Sequence, residues 1–208
     1  MGHETPSVLA DKIVDALKTD SNPDGLFLHP GSKQYQHLCF TGGEPLMATG
    51  QLASMGIYKA LKKKNNLPKS MTFETNGTQT LREPFKQWIK DIPEEIFFSV
   101  SPKLFTVSGE KTEKAIKPEN VAEYTECSNR GQLKFVVGAA DREWDEMEMT
   151  VEKFRKAGVQ WPVWIMPTGA REEEQVATAG QVAEKAFKKG YNVAARVHVY
   201  LFGNAIGT

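Results

Sequence analysis

The chain has 208 residues, with Lys+Arg and Asp+Glu both at 26 and a formal net charge of zero. That length can bury a substantial core in one large or two small domains. The balanced charge argues against a dedicated nucleic-acid or polybasic membrane surface, and no apolar run is long enough to cross a bilayer.

The polar start Met1-Gly2-His3-Glu4-Thr5 lacks a signal-peptide core, so a cytoplasmic location is expected. Thr5-Pro6-Ser7 then reads as a helix start, with proline at the first helical position. Leu9, Ile13, Ala16 and Leu17 follow on one face. Asp20 to Gly25 is a loop. His37 to Thr41 is a short buried strand, ending in the run Gly42-Gly43-Glu44-Pro45 and a helix carrying Leu52, Met55, Ala60 and Leu61. The lysines at 62, 63 and 64 lie late in that helix, where positive charge suits the dipole, and read as a solvated face.

Ser70 to Thr75 is the next strand, closed by the turn pair Asn76-Gly77. Phe85, Trp88 and Ile89 predict a short helix after Pro84. Ile96 to Ser101 is a strand ending in Pro102-Lys103, and 105–117 is polar and aperiodic, an exposed loop. Pro118 to Cys127 is helical and Gln132 to Val137 a fourth strand. Asp141 caps a helix with Trp144, Met147, Val151 and Phe154 inward, closed by Gly158. Trp161 to Met166 is a fifth strand, ending in Pro167-Thr168-Gly169. A long helix then turns Val176, Ala179, Ala183 and Phe187 inward and stops at Gly190. Ala194 to Phe202 is the final strand, and 203–208 is the tail.

Strands separated by helices imply parallel pairing with helices packed on the sheet. The expected fold is therefore α/β, a partial, open TIM-type barrel with a parallel sheet of about six strands, in a single domain over 1–208. A closed eight-stranded barrel needs a longer chain.

The unusual residues gather at strand ends: Thr41-Gly42-Gly43-Glu44-Pro45, Glu74-Thr75-Asn76-Gly77-Thr78, Ser99-Val100-Ser101-Pro102-Lys103 and Met166-Pro167-Thr168-Gly169. Parallel α/β folds bind ligands at the carboxyl edge of the sheet. Consecutive glycines let a backbone turn sharply and approach a small ligand, and Glu44 offers an anion for an ammonium group. Taken singly, these features are bland. The Gly-Gly-Glu-Pro run is more often a turn than a site, Asn76-Gly77 is usually a tight turn, Lys103 suits a solvated loop, and His198 in an apolar strand suits a satisfied core histidine. Their conjunction raises the functional reading of the first and third clusters above the bland one; for the others the two stand level. No Ser-His-Asp order, Walker loop or dinucleotide fingerprint occurs. The two cysteines, Cys39 and Cys127, are too few for a zinc or iron–sulfur site and read as small buried hydrophobes.

In this order the motifs resemble the radical S-adenosylmethionine enzymes, and within them the 7-carboxy-7-deazaguanine synthase family. The matching pieces are Thr41 to Leu46, Phe73 to Thr78, Ser99 to Leu104, Gln132 to Val136, Met166 to Gly169, and the ending His198-Val199-Tyr200-Leu201-Phe202-Gly203-Asn204. They cover nearly the whole chain. The Gly-Gly-Glu-Pro loop is shared across the superfamily, while Ser-Pro-Lys and the His…Leu-Phe-Gly-Asn ending are more particular to the family. The resemblance implies that Gly43 and Glu44 hold the methionyl end of S-adenosylmethionine. It assigns Ser101, Pro102 and Lys103 to the ribose side, and Met166, Pro167, Thr168 and Gly169 to the adenosine. Thr41, His198 and the carboxylate of Thr208 would face the pterin substrate, two carboxylate oxygens matching adjacent N–H donors.

The implied reaction is a carbon–nitrogen lyase step. An electron from a 4Fe–4S cluster cleaves the cofactor. 6-Carboxy-5,6,7,8-tetrahydropterin then loses hydrogen and contracts to 7-carboxy-7-deazaguanine with release of ammonia, aided by Mg²⁺, in deazapurine biosynthesis of the queuosine type. An electron-donating reductase is implied as a partner, and a homodimer is left open. One departure is plain: the family's Cys-x-x-x-Cys-x-x-Cys-type cluster loop is absent. The resemblance therefore implies a chain that begins after that loop, without the family's first strand and inactive alone. A truncation, a separate N-terminal fragment and a true loss all fit. The alternatives are a non-catalytic S-adenosylmethionine- or pterin-binding or interaction module, and another small radical enzyme such as an activase.

Overall fold

A computed structural model describes residues 4–169 and 171–203. Six strands, β1 (Leu38–Phe40), β2 (Ser70–Thr75), β3 (Glu95–Val100), β4 (Gly131–Val137), β5 (Val163–Pro167) and β6 (Asn192–Val193), form one sheet in chain order. β1 runs parallel to β2, with Leu38 opposite Met71 and Phe40 opposite Phe73. β4 runs parallel to β5, from Leu133 opposite Val163 to Val137 opposite Pro167, and β5 runs parallel to β6. The sheet is open, with β1 and β6 at its edges, so the α/β partial-barrel expectation holds. No helix among the described residues is long and apolar enough to cross a membrane.

The chain divides into two compact units. Residues through Thr75 with Gln79–Phe98 form the first, and Asn76–Thr78 with Ser99 onward form the second.

In the first unit, α1 (Pro6–Ala16) starts where the sequence predicts, with Thr5 Oγ1 accepting the Val8 N–H. Its inward side is Leu9, Ala10, Ile13, Val14 and Leu17; Ala16 is exposed. α2 (Ala48–Lys63) buries Gln51, Ser54, Ile57, Tyr58 and Leu61 and leaves Leu52 in solvent. The two helices approach closely because position 56 is glycine: a Cβ there would come within 2.7 Å of the Pro6 ring. α3 (Glu83–Asp91) buries Phe85, Trp88 and Ile89 as expected. Phe73 on β2 stacks on Phe40 (4.9 Å between centroids) and meets Phe85 edge-on (5.4 Å). β1 is a half-buried edge strand whose Cys39 is exposed, which corrects the reading of both cysteines as buried: Cys127 is only partly covered.

In the second unit, the stretch 105–117 is not simply a loop. It holds α4 (Phe105–Ser108) and α5 (Thr112–Ala115), and Ala115 and Ile116 are buried. α6 (Pro118–Cys127) and α7 (Asp141–Lys156) match the predicted helices. Trp144, Met147, Val151 and Phe154 are buried. Asp141 is the first helical residue rather than the cap, which is Ala140, and its carboxylate pairs with Lys185 at 2.5 Å. α8 (Glu172–Lys188) buries Val182 and Ala186, whereas Val176 (66 % exposed) and Phe187 (65 %) point out, opposite to expectation. The predicted last strand fails too. β6 ends at Val193, and Val197–Phe202 forms the helix α9 with Val199 buried.

Candidate functional site

In the first unit, Gly42 (φ +82°) and Gly43 (φ +59°) both lie in the left-handed region. A Cβ at either would meet nothing within 4 Å. Glycine is thus required by the backbone and not by crowding, and the space above the loop is open to a ligand. Glu44 comes next. Its Oε1 accepts the Thr75 hydroxyl at 2.7 Å and the Leu46 N–H at 3.0 Å, which fixes the carboxylate against the end of β2. Thr41 donates its hydroxyl to Glu74 Oε2 at 3.4 Å. Thr41, Gly43, Glu44, Glu74 and Thr75 are therefore gathered at the carboxyl ends of β1 and β2, as the sequence predicts.

The loop's exit is held by a residue that no sequence motif marks. Gln51, 2 % exposed, donates from Nε2 to the carbonyls of Leu46 (2.6 Å) and Thr80 (2.9 Å) and accepts the Arg82 N–H at 2.9 Å. One buried amide thus satisfies three backbone groups in two loops, which apolar surroundings would otherwise leave costly. The available signal is a glutamine on the helix face that also carries Ser54, Tyr58 and Leu61. Gly50 completes the fit, since a Cβ there would fall 2.3 Å from the Pro45 carbonyl oxygen.

In the second unit, Asn76 accepts the Thr78 N–H (2.9 Å) and hydroxyl (2.7 Å), and Asn120 donates to the Thr78 carbonyl at 2.8 Å. Gly77 (φ +80°) makes the turn that the sequence predicts, tight against Val100 and Val121. Ser101, Pro102 and Lys103 leave β3 with Pro102 and Leu104 buried and Lys103 exposed. The start of α4 is then pinned by Glu146 of α7. Its carboxylate accepts the Phe105 N–H (2.8 Å) and the Thr106 N–H (2.8 Å) and hydroxyl (2.6 Å). No sequence pattern marks that contact, because its partners are 40 and 41 residues apart.

Met166, Pro167, Thr168 and Gly169 lie at the end of β5. The Thr168 N–H extends the pairing to the Val137 carbonyl at 2.9 Å, and Thr168 Oγ1 would lie 3.1 Å from a Cβ at Gly138. Glu143 accepts the Gly138 N–H and Trp144 Nε1 donates to the Gly138 carbonyl at 2.9 Å, so the end of β4 is also held by α7. Arg196 Nε donates to the Met166 sulfur at 3.3 Å, a second contact that the sequence does not foretell. His198 sits in α9 instead of a strand, with its side chain outside the described part. Thr208 lies outside the described residues.

Among the described residues, no set of three or more His, Cys, Asp or Glu side chains is placed to hold a metal ion. Cys39 belongs to one unit and Cys127 to the other. This donor set does not fit an iron–sulfur cluster, which needs several thiolates together. The Gly42-Gly43-Glu44 loop, by contrast, does fit the ammonium end of a small zwitterionic ligand.

No family model matches the chain. The resemblance to the radical S-adenosylmethionine enzymes read in the sequence is matched by a curated relative. The chain is similar to 7-carboxy-7-deazaguanine synthase of Rhodopirellula baltica, with 27% identity over 183 residues, covering 83% of this chain and 64% of that protein. The chain thus spans slightly less than two thirds of that relative's length. Among solved structures, Streptococcus suis SuiB bound to its precursor peptide SuiA overlays 94% of this chain and 43% of its own, with TM-score 0.55 and 9% identity, a likeness of fold. The S-adenosylmethionine-bound form of SuiB overlaps less well, with TM-score 0.48 over 85% of this chain.

Proposed function

We propose that the chain binds S-adenosylmethionine and acts in the conversion of 6-carboxy-5,6,7,8-tetrahydropterin to 7-carboxy-7-deazaguanine. The observation that carries this reading is the similarity to 7-carboxy-7-deazaguanine synthase along 183 residues. The held carboxylate of Glu44 agrees with it. An acid whose one oxygen is fixed by a hydroxyl and a backbone N–H is pre-oriented, so an ammonium group meets it without further ordering. Gly42 and Gly43 turn the backbone beneath the ligand, and Gly43 with Glu44 takes the methionyl end. Ser101, Pro102 and Lys103, and Met166, Pro167, Thr168 and Gly169, keep their roles toward the ribose and the adenosine. Thr41, oriented by Glu74, His198 and Thr208 are assigned to the pterin. When bound, the cofactor supplies the radical chemistry, aided in the family by Mg²⁺; the chain's own residues bind, orient and exclude water.

A second reading, a non-catalytic S-adenosylmethionine- or pterin-binding module, is favoured by the two widely separated cysteines. Calorimetry separates both from no binding at all. Wild type is expected to bind S-adenosylmethionine, and Glu44→Ala to bind at least about tenfold more weakly, the size of one charge-assisted hydrogen bond. Formation of 7-carboxy-7-deazaguanine, followed by mass spectrometry with a polypeptide carrying the cluster-binding cysteine loop and a reductant added, distinguishes the lyase from the binding module; the chain without that polypeptide is expected to be inactive. Equal affinity in wild type and Glu44→Ala would remove the assignment.

A further inference from the structure

Arg196 stands between β6 and α9, half-buried and two residues before His198. Its Nε donates to the Met166 sulfur at 3.3 Å, and among the described residues no carboxylate pairs with it. A thioether is a weak acceptor, so this contact orients the guanidinium without neutralising it. A charge drawn partly out of water is costly unless an anion meets it, and the described chain supplies only that one soft acceptor to a group rich in donors. Because Nε is taken by the sulfur, both terminal nitrogens remain as an end-on fork. The backbone carries this fork to the edge where parallel sheets bind ligands. Met166 lies at the carboxyl end of β5, and the Ala194 N–H continues the pairing of β6 to the Ile165 carbonyl at 2.8 Å.

We propose that Arg196 binds the carboxylate of the substrate and so makes the chain select a carboxylated pterin. This rests on the reading of the chain as acting on 6-carboxy-5,6,7,8-tetrahydropterin. A carboxylate presents two oxygens at the spacing of two guanidinium nitrogens, so arginine meets it through paired hydrogen bonds where lysine offers a point charge. The carboxylate of Thr208 is matched to the donor-bearing edge of the pterin, which leaves the substrate's own carboxylate, on the other ring, in need of a cation. Arg196 is two residues from His198, which is assigned to the same pterin, and it is anchored on the first residue of the loop assigned to the adenosine. S-adenosylmethionine also carries a carboxylate and is the competing source of the anion. The position of Glu44 speaks against it: the methionyl end is assigned to the Gly42-Gly43-Glu44 loop after β1, whereas Arg196 sits beside the loop assigned to the adenosine.

Calorimetry on the full chain saturated with S-adenosylmethionine is the test, with 6-carboxy-5,6,7,8-tetrahydropterin and its 6-carboxamide as the probes. Wild type is expected to bind the acid at least about tenfold more tightly than the amide. Arg196→Gln is expected to lose about ten- to hundredfold on the acid alone, and so to bind the two probes alike. Arg196→Lys, which keeps the charge without the fork, is expected to fall between them. The affinity of Arg196→Gln for S-adenosylmethionine is expected to match that of wild type. A loss of the same size on S-adenosylmethionine would give the anion to the cofactor and overturn the proposal. So would an Arg196→Gln variant that still prefers the acid, or one weakened equally on acid and amide, as when the arginine merely braces Met166. Wild type that binds both pterins alike removes the role of Arg196 alone. Wild type that binds S-adenosylmethionine but neither pterin removes the functional reading along with it.

Discussion

The loops leaving β1 and β3 both carry candidate ligand contacts, but they are held in different ways. Behind Gly42-Gly43-Glu44-Pro45, a neutral and fully buried amide, Gln51, captures two carbonyls and one N–H. Behind Ser101-Pro102-Lys103, apolar burial of Pro102 and Leu104 does part of the work. A partly exposed carboxylate, Glu146, captures two N–H groups and a hydroxyl. The first device works in a medium where an unmet polar group is expensive; the second keeps water as a substitute partner. The β1 loop is therefore the more rigidly specified of the two, and its failure is the more costly.

Substitutions can break that contrast. Gln51→Leu keeps the volume but leaves Leu46, Thr80 and Arg82 backbone groups unmet, and is expected to cost about 3 kcal/mol or more in chemical denaturation. Glu146→Ala is expected to cost about 1–2 kcal/mol, because water reaches the released Phe105 N–H. Equal losses in the two variants would show that the two loops are held alike. The smallest effect concerns His37, whose ring nitrogens sit 2.8 Å from Ser70 Oγ and 2.7 Å from Thr72 Oγ1. Partial burial lowers its pKa from 6.5. The folded form thus binds the proton less well than the unfolded chain. His37 therefore favours folding fully above pH 6.5, and that contribution is lost as pH falls from there through the depressed folded value. The stability difference between wild type and His37→Gln should accordingly shift against wild type on acidification, and NMR titration should place His37 below its ordinary value. A pH-independent difference would contradict this.

Much of the fold was legible because period and punctuation agreed. β2 runs from Ser70 to Thr75 and α6 from Pro118 to Cys127, each bounded by turn or proline signals. The misses have physical causes. Val197 to Phe202 is β-branched and aromatic, yet β propensity records a fit to a pleated neighbour. β5 offers β6 pairing only at Trp164–Asn192 and Ile165–Val193, after which the chain coils into α9. In α8, the larger residues Val176 and Phe187 suggested the inward face, while the chain buries the smaller pair Val182 and Ala186. Cys39 was expected to be buried because its strand is apolar, but an edge strand has one side without a neighbour. The candidate residues at the strand ends were visible in the sequence. Gln51, Glu146 and Arg196, which hold those ends, were not, since their partners are distant in the chain.

Backbone amide NMR during titration with S-adenosylmethionine tests the central claim most directly. The account predicts saturable shifts of the Gly42, Gly43 and Glu44 amides, absent or displaced to much higher ligand concentration in Glu44→Ala. Saturable binding that leaves these three amides unmoved, or no binding at all, would contradict it.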